Sequence, residues 1–266
     1  CAVPAAPLGT RRGLHPEPGN PVHVLPHYDR CLAGVALVAS VSGCAGDRCM
    51  ARTLRIDLVD AADRLLPLML ARISNLRVGP GMEPGMDMGP LYSAEHRESV
   101  IRWIETGEAE GAELVVDGRP FVHPDNPDGY FLGVTLFDHV TPEMEIYREE
   151  IFGPVLGIVR ARTYDEALGL INAHRYANGT AIFTTDGGAA RRFKLEVDVP
   201  MIGVNVPIPV PAGYLSFGGS RASAFGDLGM RGEDGIRFFT QQKMVTERWP
   251  EPGRRGALSL VFPGNS

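Results

Sequence analysis

Residues 155–206 read VLGIVRARTYDEALGLINAHRYANGTAIFTTDGGAARRFKLEVDVPMIGVNV, and this stretch decides the fold. Val155 to Arg160 is a β-rich run and predicts a strand. Thr163-Tyr164-Asp165-Glu166 has the form of a capping box, in which a hydroxyl and a carboxylate three residues apart satisfy the first orphan amides of a helix, here one running through Ile171. Ala181 to Thr185 predicts a second strand, Asp186 caps a second helix through Val197, and Ile202 to Val206 predicts a third strand. Strand, helix, strand, helix, strand with short links is the pattern of a parallel sheet with helices on both faces. The fold class is therefore expected to be α/β.

Toward the amino terminus, Asp60 to Leu76 sets Ala62, Leu65, Leu66, Met69, Ile73 and Leu76 on one apolar face, with Arg64 and Arg72 pointing away, and predicts a helix. It ends at Val78-Gly79-Pro80, with a loop to Pro90, and a further helix from about Ser93 to Gly111 precedes a short strand at Leu114 to Val116. The apolar run Cys31 to Gly46 falls short of the ~20 residues that span a bilayer and predicts a buried helix. Six prolines between Pro4 and Pro26 predict an irregular arm over residues 1–18, with the packed protein over 19–234 beginning near Pro21. Residues 235–249 read as extended and 250–266 as a loose tail.

The chain has 266 residues, 44% of them hydrophobic and 22% charged, the composition of a soluble globular protein. Its net charge of −6 lacks the basic footprint that binding to a phosphate backbone requires, so nucleic acid is not an expected partner. No secretory signal or membrane span is expected, and Cys1 at the first position is explained more simply by a truncated or processed start than by lipid modification. Four cysteines, all within residues 1–49, do not make a disulfide framework and predict a reducing, cytoplasmic setting, or the mitochondrial matrix in a eukaryote. The seven histidines stand apart, and without a CxxC or HExxH pairing no metal is expected. GxGxxG, GxxxxGK[ST] and GxSxG elbows are likewise missing.

Two clusters carry candidate chemistry. In Gly46-Asp47-Arg48-Cys49-Met50 a cysteine follows the glycine that ends an apolar helix, and an adjacent cation favours the reactive thiolate. The bland alternative is a small buried hydrophobe, the role expected of Cys31 and Cys44. In Glu149-Glu150-Ile151-Phe152-Gly153-Pro154-Val155 two carboxylates and an aromatic precede a strand, where α/β sheets place ligands and a carboxylate can hold both hydroxyls of a ribose. A helix-end charge pair and a core phenylalanine are the alternative there.

Together the clusters resemble the aldehyde dehydrogenase superfamily, whose G-Q/E-x-C and E-E-I-F-G-P-V segments stand in this order about a hundred residues apart. Asn178 to Thr185, Gly203 to Pro211, Ser216 to Ser220 and Arg48-Cys49-Met50 resemble its CoA-acylating branch, which handles methylmalonate and malonate semialdehyde. The likeness covers roughly residues 19–249. It implies that Cys49 is the nucleophile and that Glu150 and Phe152 bind NAD. It implies that Phe217 lines the substrate tunnel, with core packing as the alternative. Arg48 is either a partner of the substrate carboxylate or a structural ion-pair partner of Asp47 or Glu150. Coenzyme A is the implied co-substrate, the products being propanoyl-CoA or acetyl-CoA and carbon dioxide, as in valine, pyrimidine or inositol catabolism. The resemblance is to the carboxyl-terminal, catalytic half alone, so the amino-terminal dinucleotide-binding half, with its ribose-gripping Lys and oxyanion-hole Asn, is expected to be largely absent. Asp47 departs from the usual Gln or Glu. A catalytically inactive remnant that associates with full-length relatives is the competing expectation, and a cysteine hydrolase is a third that would need a His and an Asn or Asp converging on Cys49. A homo-oligomer is expected, with 235–249 pairing as an intersubunit strand.

Overall fold

The computed structural model describes residues 22–24, 30–47, 54–224, 226, 229, 231–247 and 249. In chain order the elements are β1 (Val22–Val24), α1 (Arg30–Ser42), β2 (Leu54–Leu58), α2 (Val59–Ser74), α3 (Ala94–Ala109), β3 (Glu113–Val116), β4 (Thr135–Asp138) and α4 (Glu145–Arg148). There follow β5 (Val155–Ala161), α5 (Tyr164–Ala173), β6 (Tyr176–Ala177), β7 (Gly179–Phe183), α6 (Gly187–Glu196), β8 (Met201–Val204), β9 (Ser220–Arg221) and α7 (Gly232–Phe239). A 3₁₀ turn, Gly43–Gly46, extends the end of α1.

Seven strands form one sheet in the order β3-β4-β5-β2-β1-β7-β8, and β6 pairs with β9 in a separate antiparallel ribbon. Every neighbour in the large sheet is parallel except β3, which runs antiparallel to β4. The chain steps one way from β1 through β2 to the edge strand β3, then back the other way through β4, β5, β7 and β8. Because parallel crossovers are right-handed, that reversal puts α1 and α2 on one face and α5 and α6 on the other. The packing agrees: α1 lies on α2, while α2 and α5 each pack on β2 and β5. The expected α/β class, with helices on both faces, holds.

Local chemistry sets the helix starts. Thr163 Oγ1 accepts the Glu166 amide at 3.1 Å to open α5, although the Glu166 carboxylate turns to the Arg162 amide rather than that of Thr163. Asp186 Oδ1 accepts the amides of Gly188 and Ala189 at the start of α6. Leu65 and Met69 of α2 are fully buried with Leu37, Ile56, Ile104, Phe137, Phe183 and Phe193. Each such side chain contributes about 1.5–3 kcal/mol by leaving water.

Three features differ from expectation. β1, β2 and β4 are present although no strand was expected there; β4 is four residues long and wholly buried, which leaves no alternation to read. Cys44 is exposed, with φ +53°, so it does not serve as a core hydrophobe. The segment expected to be extended from Gly235 is helical to Phe239, since Glu233 and Asp234 favour the first turn of α7; residues 240–247 carry no regular secondary structure. The expected arm, residues 1–18, and tail, 250–266, lie outside the described residues.

Candidate functional site

Cys49 and Arg48 lie outside the described residues, but the chain is described up to Asp47 and again from Leu54. The way in is tightly built. Cys44, Ala45 and Gly46 all take the left-handed conformation, with φ of +53°, +52° and +77°, which turns the chain sharply away from α1. Gly46 is required here for a second reason: a Cβ on it would lie 2.2 Å from the Gly153 carbonyl oxygen. The two motifs that are a hundred residues apart in sequence are therefore in backbone contact. Gly153 is itself wedged against α3, where a Cβ would lie 2.6 Å from Val100 Cγ2.

The amino terminus of α3 closes this arrangement. Ser93 Oγ caps the helix by accepting the His96 amide at 3.1 Å, which places His96 in the first turn, one helical turn before Val100. His96 Nε2 lies 2.7 Å from the Phe152 carbonyl oxygen and 3.0 Å from Asp47 Oδ1. Both oxygens are acceptors, so Nε2 carries the proton and donates to both. The ring stacks on Tyr92 at 4.4 Å and meets the Phe152 ring edge-on at 6.3 Å. Burial pushes the Asp47 carboxyl above the usual carboxylate range, opposed by His96 and by a hydrogen bond from the Tyr92 amide.

On the other side of the contact, Phe152 has φ +57°, a strained setting for a bulky residue and one that recurs at functional sites. Glu149 is engaged structurally: Arg175 Nη1 donates to its Oε1 at 2.8 Å and the Tyr176 hydroxyl reaches Oε2 at 3.5 Å. Glu150, next along the chain, is half-buried. Glu150 is thus a half-buried carboxylate two residues before a left-handed aromatic, on backbone held by Gly46 and His96. Phe217 is buried elsewhere, in a cluster with Met201 and Ile208, with the Arg231 guanidinium 5.3 Å from its ring centroid. Its neighbours Ser216 and Gly218 line an open cleft of about 570 Å³. The structure thus joins the Gly46-Asp47 and Glu150-Phe152 segments and places Phe217 in a separate cluster.

The Gly203 to Pro211 motif has a local explanation. Asn205, at φ +57°, accepts the Thr184 amide through Oδ1 and donates Nδ2 to the Thr184 carbonyl, continuing the pairing of β7 and β8 past their ends. A Cβ on Gly203 would strike the Val206 carbonyl oxygen at 2.1 Å. His96 was not singled out by sequence; the one signal was its place three residues after a capping serine.

Comparison with known proteins identifies the family and the fold. The profile of the Aldehyde dehydrogenase family matches residues 15–245. A malonate-semialdehyde dehydrogenase of Pseudomonas aeruginosa is 47% identical over 260 residues, covering 96% of this chain and 52% of that protein. The crystal structure of a methylmalonate-semialdehyde dehydrogenase from Oceanimonas doudoroffii superposes with a TM-score of 0.89 at 46% identity, covering 95% of this chain and 52% of the other. A Sinorhizobium meliloti 1021 structure assigned to methylmalonate-semialdehyde dehydrogenase and complexed with NAD gives 0.89 at 45% identity, covering 93% and 50%. The chain spans about half the length of the curated relatives it matches. By its sequence from residue 15 to residue 245 and by the fold of its described residues, the chain belongs to the aldehyde dehydrogenase family.

Proposed function

We propose that this chain carries the catalytic centre of an NAD-dependent dehydrogenase that oxidises methylmalonate or malonate semialdehyde and passes the acyl group to coenzyme A. One observation carries the reading: the contact between Gly46 and Gly153 brings the segment entering Cys49 against the segment bearing Glu150. The substrate class rests on kinship with the semialdehyde dehydrogenases.

In this reading the Cys49 thiolate adds to the aldehyde carbonyl, and its own backbone N–H stabilises the developing oxyanion. Glu150 holds the nicotinamide ribose and Phe152 packs on the cofactor. Bound NAD supplies the hydride acceptor. Cys49 then retains the acyl group as a thioester, which the thiol of coenzyme A takes over, with carbon dioxide leaving from the β-carboxylate. Arg48 pairs with the substrate carboxylate, a task suited to a permanently charged fork of donors. Phe217 contributes to the apolar wall of the substrate path.

The test is NADH formation by the purified chain given methylmalonate semialdehyde, NAD and coenzyme A, beside Cys49→Ala. Coenzyme-A-dependent turnover that Cys49→Ala abolishes is the expected result. A wild-type rate equal to that of Cys49→Ala overturns the reading for this chain and favours the non-catalytic, associating role.

A further inference from the structure

We propose that His96 is a positioning residue for this reaction, whose shared Nε2–H ties the backbone entering the Cys49 segment to the backbone of the cofactor segment. The inference rests on Cys49 as the nucleophile and goes beyond it by assigning the tie to a side chain of α3.

Three observations carry it. The first is geometric: one proton serves the Asp47 carboxylate at 3.0 Å and the Phe152 carbonyl at 2.7 Å, so Asp47 and Phe152 cannot separate without breaking one of the two bonds. Asp47 lies two residues before Cys49 and Phe152 two after Glu150. The second is burial. The side chains of His96 and Asp47 are only 10% and 14% exposed, so water competes poorly for the bond, and the Asp47 carboxylate adds charge to it. The third is that the donor is itself held. Ser93 fixes the backbone of His96, Tyr92 stacks on its ring, and Gly153 packs so closely on Val100 of the same helix that a Cβ on it would lie 2.6 Å from Val100 Cγ2. With Nε2 committed to two oxygens, His96 acts through Asp47 and Phe152, as an anchor.

The position of Asp47 fits this role. It stands where the family's G-Q/E-x-C segment has Gln or Glu, and it also lies at the amino terminus of α3, where the Tyr92 amide and the helix dipole favour a carboxylate against the larger, opposing effect of burial. The tie therefore combines a charge-assisted hydrogen bond with a helix-terminus interaction.

Cys44 provides an internal reference, since it is an exposed free thiol on the same turn. The full chain is treated with iodoacetamide and the alkylation rates of Cys49 and Cys44 are followed separately by mass spectrometry, together with amide exchange of a peptide spanning residues 47–54. His96→Phe keeps a ring against Tyr92 and removes the donor. The Cys49-to-Cys44 rate ratio is expected to fall about ten-fold or more, the effect of one charge-assisted hydrogen bond, and exchange in 47–54 to rise. His96→Gln, whose amide nitrogen reaches about as far as Nε2, is expected to recover most of the ratio, which a purely space-filling role would not do. An unchanged ratio and unchanged exchange in His96→Phe overturn the proposal, as does a His96→Gln protein no better than His96→Phe. If His96→Phe does not fold, Asp47→Ala breaks the same tie from its other end and is read in the same way. The two readings fail separately. Wild-type protein without NADH formation and with Cys49 no faster than Cys44 defeats the dehydrogenase reading, while the exchange data still decide the tie. Turnover in wild type with exchange unaltered in His96→Phe defeats the tie alone.

Discussion

Gly46 illustrates how one residue without a side chain determines the site. It must be glycine for two separable reasons, a φ of +77° and the approach of the Gly153 carbonyl. The conformational penalty for a Cβ in the left-handed region is about 1–2 kcal/mol, and forced overpacking adds about 1–3 kcal/mol. Gly46→Ala is thus expected to lower the free energy of urea unfolding by about 2–5 kcal/mol. Gly111→Ala separates the terms, because Gly111 also has positive φ, +92°, yet no atom lies near its would-be Cβ. Equal losses in the two variants would show that the contact with Gly153 contributes nothing. Sequence alone carries the glycine of the G-x-x-C segment and the E-E-I-F-G-P-V segment, since both are contiguous patterns. It does not carry His96, whose partners Asp47 and Phe152 lie 49 and 56 positions away and meet it through α3. A hydrogen bond between distant segments has no periodic or local signature.

Elements are legible in proportion to their local chemistry. α5 and α6 announce themselves through Thr163 and Asp186, whose side chains accept the first helical amides. β1 and β4 do not: they are three and four residues long, and their place in the sheet comes from neighbours on each side. The joint between α4 and β6 shows what tertiary packing adds. His174 is buried between them, with Nε2 donating to the Tyr147 carbonyl at 3.0 Å and Nδ1 accepting the Tyr176 amide at 3.1 Å. Burial, with a smaller effect of Arg221, pushes its pKa below the ordinary histidine value, against the raising influence of the hydrogen bonds and Glu149. The folded chain therefore prefers neutral His174, while the unfolded chain takes up a proton near pH ~6.5. Stability from this group is complete above that pH and is lost as the pH falls through it, at up to about 1.4 kcal/mol per pH unit. His174→Gln is expected to be less stable than wild type at pH 8 and to show a flatter dependence between pH 8 and 5 in urea unfolding. A wild-type curve parallel to that of the variant would mean that His174 ionises as freely in the folded chain as in the unfolded one.

At the scale of the whole molecule, the apolar surface is uneven. The sheet core is closed on both faces, but the last described stretch is not: Phe239 is 82% exposed, Met244 87% and Trp249 85%, with Ile236 and Val245 also exposed. Ile236 and Phe239 stand three apart on α7 and so share one side of an eight-residue helix, and residues 240–247 leave backbone groups outside any strand pairing within the described chain. Apolar patches of this kind mark contact surfaces, and backbone groups left unpaired invite strand addition. The occupant we propose is a second copy of this chain or a longer relative with the same fold. Light scattering of the purified chain is then expected to give a mass above that of one 266-residue chain. Ile236→Ser with Phe239→Ser should lower that mass by removing the helical half of the patch, and deletion of residues 240–249 should lower it by removing the remainder. Because α7 and the segment after it contribute nothing to the buried core, both variants should unfold at nearly the wild-type urea concentration, so a change in mass would not be a consequence of misfolding. A wild-type monomer, or a mass unaltered by either change, would remove this surface from the assembly and leave its apolar residues without a role.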